Sequence, residues 1–135
     1  MLGARVLIVD DDSSVARVLA RIFERSGFIV TTAPDGEWAL GLLREQQFDA
    51  MICDIQMPRL DGRQLCEHLA SSGPPLPPCT IIVTSRSEVE ERAWVAGFPG
   101  VRMVEKPVGP KQLLRIVHQT LSDTGWSASS QRRAA

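Results

Sequence analysis

Tyrosine is absent from this chain of 135 residues, and aromatic residues make up only 5% of it, so no phenolic hydroxyl is available for chemistry. Cysteine is scarce: Cys53, Cys66 and Cys79 form no CxxC pair. Odd in number and isolated, they read as reduced, buried thiols of a cytoplasmic protein, not as a disulfide framework or a metal site. No apolar run approaches the roughly 20 residues of a membrane-spanning helix. The chain opens Met1-Leu2-Gly3-Ala4-Arg5 and enters an apolar strand at once, which is not the pattern of a signal peptide. Charge of one sign is lacking too. Fifteen Lys and Arg against sixteen Asp and Glu leave a formal net charge of −1. That balance supplies no field to draw the whole domain onto nucleic acid or an anionic membrane.

What is present fits one soluble domain, with 44% hydrophobic and 23% charged residues and a length sufficient for a real core. Short β-branched runs alternate with helix-period segments. Residues 5–9, 28–32, 49–54, 80–84 and 101–105 read as strands, the third apolar enough to be buried on both faces. Ser13 or Ser14 is the expected cap of a first helix whose apolar face is Val15, Val18, Leu19, Ile22 and Phe23, ending at Gly27. Asp35 is expected to cap a second helix, with Trp38, Ala39, Leu42 and Leu43 sharing a face, and Asp61 a third carrying Leu65 and Leu69. The stretch 71–78, SSGPPLPP, reads as an exposed connector. A fourth helix begins near Ser87 and runs through Ala96. Pro110 suits the first turn of a fifth, lined by Leu113, Ile116, Val117, Thr120 and Leu121. Residues 122–135 lose periodicity and read as a disordered tail or the start of a linker after a domain spanning 1–121.

Five strands alternating with five helices predict a doubly wound parallel sheet of order 2-1-3-4-5, the flavodoxin-like (βα)5 arrangement. Ligands of such sheets bind at the carboxyl ends of the strands. Those ends carry Asp10-Asp11-Asp12, Asp54, Thr84-Ser85 and Lys106-Pro107. Carboxylates at adjacent strand ends repel, so ionising them together requires a cation. A hard divalent ion with oxygen ligands is the natural partner, and Mg²⁺ keeps several waters while held by one or two carboxylates. A carboxylate surrounded by metal, ammonium and hydroxyl is a constellation for phosphoryl transfer with the carboxylate as nucleophile.

The motifs VLIVDDD, DAMICDIQMPRLDG, IIVTS and VEKP, in this order and spacing, resemble the receiver domain of bacterial response regulators over about Arg5 through Leu121. The resemblance implies that Asp54 is the phosphoacceptor, that Asp11 binds Mg²⁺ directly and Asp10 directly or through water, and that Gln56 lends its backbone carbonyl. It further implies that Thr84 and Lys106 hold the phosphoryl group, and that the Lys106–Pro107 peptide is cis. Asp12 is read as a helix-start charge. The implied role is a stoichiometric switch and not a turnover enzyme. Its expected partners are a histidine kinase or phosphotransfer protein and a downstream effector or output domain. Direct nucleic-acid or membrane binding is not expected, and the implied state is a monomer or a phosphorylation-dependent dimer.

One departure stands out: Met103 occupies a position where many receivers carry Tyr or Phe, which puts in doubt the usual coupling of Thr84 to an aromatic residue. Gln56 and Arg86 are candidate tuners of phosphoryl lifetime. His68 and His118 read as surface residues, and Trp94 as a partner contact or a partly packed side chain. Two rival readings remain in view. A hydrolase of the haloacid dehalogenase type would make Asp10 the nucleophile of an Asp-x-Asp motif but leave Asp54 unexplained. A receiver-like module working without phosphorylation would not need Asp10, Asp11, Asp54, Thr84 and Lys106 together.

Overall fold

The computed structural model describes residues 3–57, 59–71, 73–85 and 89–126, without the side chains of 89–91. Strands β1 (Arg5–Val9), β2 (Ile29–Ala33), β3 (Ala50–Asp54), β4 (Cys79–Thr84) and β5 (Val101–Glu105) alternate with helices α1 (Ser13–Arg25), α2 (Gly36–Glu45), α3 (Gly62–Ser71), α4 (Val89–Ala96) and α5 (Pro110–Asp123). All strand pairings are parallel, in the order β2-β1-β3-β4-β5. The expected order is therefore observed, with β1 and β3 side by side at the switch point.

The two-residue period of the strands divides the core in two. Leu7 and Val9 of β1, Met51 and Cys53 of β3 and Ile82 of β4 face one cluster with Leu43, Leu65 and Trp94 of α2, α3 and α4. Val6, Ile8, Ile52, Ile81 and Val83 face the other, with Leu19 and Phe23 of α1 and Val117 and Leu121 of α5. Phe23 is fully buried, so its truncation to alanine costs about 3–5 kcal/mol.

Several local expectations are corrected. The cap of α1 is Asp12, whose Oδ1 accepts from the N–H groups of Ser14 and Val15, and not Ser13 or Ser14. The buried face of α1 is Ala16, Leu19 and Phe23, while Val15 and Val18 are about half exposed at 49% and 54%. Trp38 is also exposed, and Leu40 takes its place in the buried face of α2. The connector before β4 is not wholly exposed. Pro77 is buried, and its carbonyl accepts from the Thr80 hydroxyl at 2.8 Å. Helix α5 continues to Asp123. Beyond it Gly125, at φ +74°, turns the chain so that Trp126 packs back on the α1–α5 core. Its indole Nε1 is buried there with no hydrogen-bond partner. Ser87, Arg86 and the tail past Trp126 lie outside the described residues. Among the described residues no helix is long and apolar enough to cross a membrane.

Candidate functional site

The site lies where β1 and β3 end. Asp10 follows β1, and its N–H is tied to the Ala33 carbonyl at 3.0 Å, which continues the ladder one residue past the strand. Its Oδ1 accepts from the Asp12 N–H at 2.9 Å. That turn sends the Asp12 side chain onto the end of α1, which agrees with its reading as a helix-start charge. Asp54 ends β3, with its side chain only 12% exposed, and its Oδ1 accepts from the Gln56 N–H at 3.2 Å.

Carboxylate oxygens of Asp10, Asp11 and Asp54 all lie within 4.8 Å of one another. Burial pushes the Asp10 carboxyl up from its ordinary pKa, and the charge of Asp54 adds to the effect. The hydrogen bond from Asp12 and the ammonium of Lys106 oppose it. Three oxygen donors held this close repel, and a hard divalent cation offsets that repulsion, so the donor set fits Mg²⁺. Lys106 reaches in from the loop after β5, its Nζ 3.1 Å from Asp54 Oδ2. The Lys106 N–H donates to the Thr84 carbonyl at 2.7 Å, which joins the ends of β4 and β5. The Lys106–Pro107 peptide is cis, as expected from the sequence.

The remaining candidates sit around this centre at different depths. Thr84 is buried at the end of β4, one residue past Val83, the register partner of Asp54. Met103 is opposite Ile82, deeper in the sheet, and packs half-buried against the cluster containing Trp94. Trp94 is itself buried and meets Phe98 edge-on at 5.9 Å, which favours packing over an exposed partner contact. His68 is exposed on α3 as expected. His118 is half-buried on α5 with its ring edge-on to Phe28 at 5.3 Å, so it is more than a surface residue.

Sequence reading missed the support for the β3–α3 loop. The Gly36 N–H donates to the Leu60 carbonyl at 3.1 Å, and a Cβ on Gly36 would overlap Leu60. Arg59 adopts φ +69° and brings its guanidinium within 3.9 Å of Asp35 and 4.0 Å of Glu37. In the sequence Asp35 read simply as a cap. An apolar groove of about 740 Å³ also opens beside the site, reaching from Asp54 and Lys106 past Val15, Val18 and Val108.

Comparison with known proteins identifies the family. Residues 6–118 match the response regulator receiver domain. The chain belongs to that family. It is 36% identical over 133 residues to the response regulator MprA of Mycolicibacterium vanbaalenii, covering 96% of this chain and 57% of that protein. The chain thus spans about half the length of the curated relatives it matches. Among solved structures it resembles a CheY-like response regulator receiver domain protein from Methanospirillum hungatei. The TM-score is 0.80 at 27% identity, covering 90% of this chain and 95% of that one. The signal receiver domain of a signal transduction histidine kinase from Syntrophus aciditrophicus gives a TM-score of 0.80 at 26% identity, covering 94% and 96%. This chain is accordingly a receiver domain of the two-component type.

Proposed function

We propose that Asp54 accepts a phosphoryl group from the phosphohistidine of a histidine kinase or phosphotransfer protein. The observation that carries this reading is the convergence of Asp10, Asp11 and Asp54 within 4.8 Å, with the Lys106 ammonium 3.1 Å from Asp54. Asp10, Asp11 and Asp54, with the backbone carbonyl of Gln56, would hold Mg²⁺. Bound there, the ion would neutralise charge on the transferring oxygens. An Asp54 carboxylate oxygen forms the new P–O bond as the P–N bond breaks, and the departing imidazole keeps the electron pair and takes up a proton. Lys106 exchanges its contact with Asp54 for a phosphoryl oxygen, and the Thr84 hydroxyl donates to another.

The product is an aspartyl phosphate, so each transfer modifies the domain itself and the role is that of a switch. Movement of Thr84 would be felt by Met103 and the Trp94 cluster, and so by the surface of α4, β5 and α5. That is a population shift driven by contacts available only in the phosphorylated form. The readers of this surface would be an effector protein or an attached output domain, with the receiver a monomer or a phosphorylation-dependent dimer in the cytoplasm. A haloacid dehalogenase type hydrolase would leave Asp54 and the loop after it without a task.

The test is intact mass after incubation with Mg²⁺ and acetyl phosphate. One added phosphoryl group is expected, absent in Asp54→Asn and absent with EDTA. A wild-type protein that gains nothing would refute the phosphoacceptor role. Hydrolysis that persists in Asp54→Asn and stops in Asp10→Asn would transfer the nucleophile to Asp10.

A further inference from the structure

Helices α1 and α5 lie on the same face of the sheet and leave a groove of about 630 Å³ between them. Its lining includes Ile22 and Arg25 from α1 and Lys111, Leu114, Arg115 and His118 from α5. Every charged residue of that lining is cationic, in a chain whose net charge is −1. Lys111 and Arg115 stand four apart on one helix, a spacing at which like charges destabilise. Arg25 brings a third positive charge from the other helix. Among the described residues, none of the ion pairs involves Arg25, Lys111 or Arg115.

The groove is short. Four residues of helix advance about 6 Å, so Lys111 and Arg115 are stacked within little more than one turn. The carboxylates of an acidic peptide are spread along its backbone, at most one per about 3.3–3.6 Å of extended chain. A phosphate chain packs more charge into that length, and a phosphate matches the forked donors of arginine. Ile22 and Leu114 give the groove apolar walls, and the His118 ring is held against Phe28.

We propose that this groove binds a linear polyphosphate, either an inorganic chain or the phosphate tail of a nucleotide. Arg25 and Arg115 supply forked donors and Lys111 the third charge. The site is separate from Asp54. The 13 residues of α1 span about 20 Å, with Asp12 at one end and Arg25 at the other.

The test is calorimetric titration of the full chain with tripolyphosphate and, separately, with ATP, both in EDTA so that no metal draws phosphate to Asp54. Saturable binding with one site is expected. It should weaken by roughly tenfold or more in Lys111→Gln/Arg115→Gln, the loss that follows removal of charge-assisted bonds. It should be unchanged in Arg63→Gln, an exposed cation on α3. Amide shifts confined to residues 22–26 and 111–118 would locate the site without relying on the variants. Equal affinities would assign recognition to the phosphate chain, and tighter ATP would add a contact from the nucleoside. Binding of neither ligand, binding that survives the double variant, or tighter binding of a glutamate peptide of equal charge would each overturn the proposal.

Discussion

The Lys106 ammonium and the Asp54 carboxylate meet at 3.1 Å although 52 residues separate them in the chain. Lys106 is 42% exposed, so the pair is partly solvated and adds little to folding. Under the proposed function it would place a positive charge where phosphoryl oxygens arrive. Replacing Lys106 with alanine should slow phosphorylation by acetyl phosphate about a hundredfold, comparable to losing one preorganised donor. The urea midpoint should barely move. A variant that unfolds readily and phosphorylates normally would reverse that assignment.

Gly36 should tolerate no side chain. Its Cβ would overlap the Leu60 carbonyl and stand 2.9 Å from Leu60 Cβ. Leu60 belongs to the loop carrying Arg59, which already holds φ +69°. Gly36→Ala should therefore cost about 1–3 kcal/mol, as overpacking generally does. Equilibrium urea denaturation measures this, and a change within error would mean that the loop yields freely.

Burial against Phe28 holds the His118 pKa below its ordinary 6.5. The native imidazole is thus neutral when the unfolded one begins to take a proton. Its contribution to stability is fully present above pH 6.5. It declines as pH falls through that value, and the decline levels off below the native pKa. His118→Gln should flatten this part of the stability profile as pH falls through 6.5. An unchanged slope would place the titration in other groups.

All three thiols are buried, and burial pushes each up in pKa, Cys66 to about 12. Thiolate is the reactive form, so the folded protein should resist a disulfide reagent such as DTNB. Rapid labelling of all three is expected in urea. Rapid labelling of any one in the native state would reveal an opening of the surrounding core.

Strand positions and the residues at their ends were legible in the sequence because strand burial is written locally. The runs RVLIV, AMICD and TIIVT are apolar enough to be inner strands wherever they occur. Helix faces were less legible. Val15 and Val18 satisfy the helical period but flank the apolar groove near Asp54, and Ala16 takes the buried position. Period alone cannot say which of two adjacent stripes the sheet will cover. Trp126 shows the same limit, since a polar tail gives no local sign that one indole will pack back on the core.

Sequence by itself determined the (βα)5 order and which residues stand at four strand ends, since both are written at short range. Tertiary structure decided which carboxylates converge and which does not. Asp10, Asp11 and Asp54 meet because β1 and β3 pair, whereas Asp12, adjacent in sequence, turns onto α1. It likewise brought Arg25 beside Lys111 and Arg115. Neighbours contributed by different elements depend on chain crossings and packing, and these long-range relations are carried by no local pattern.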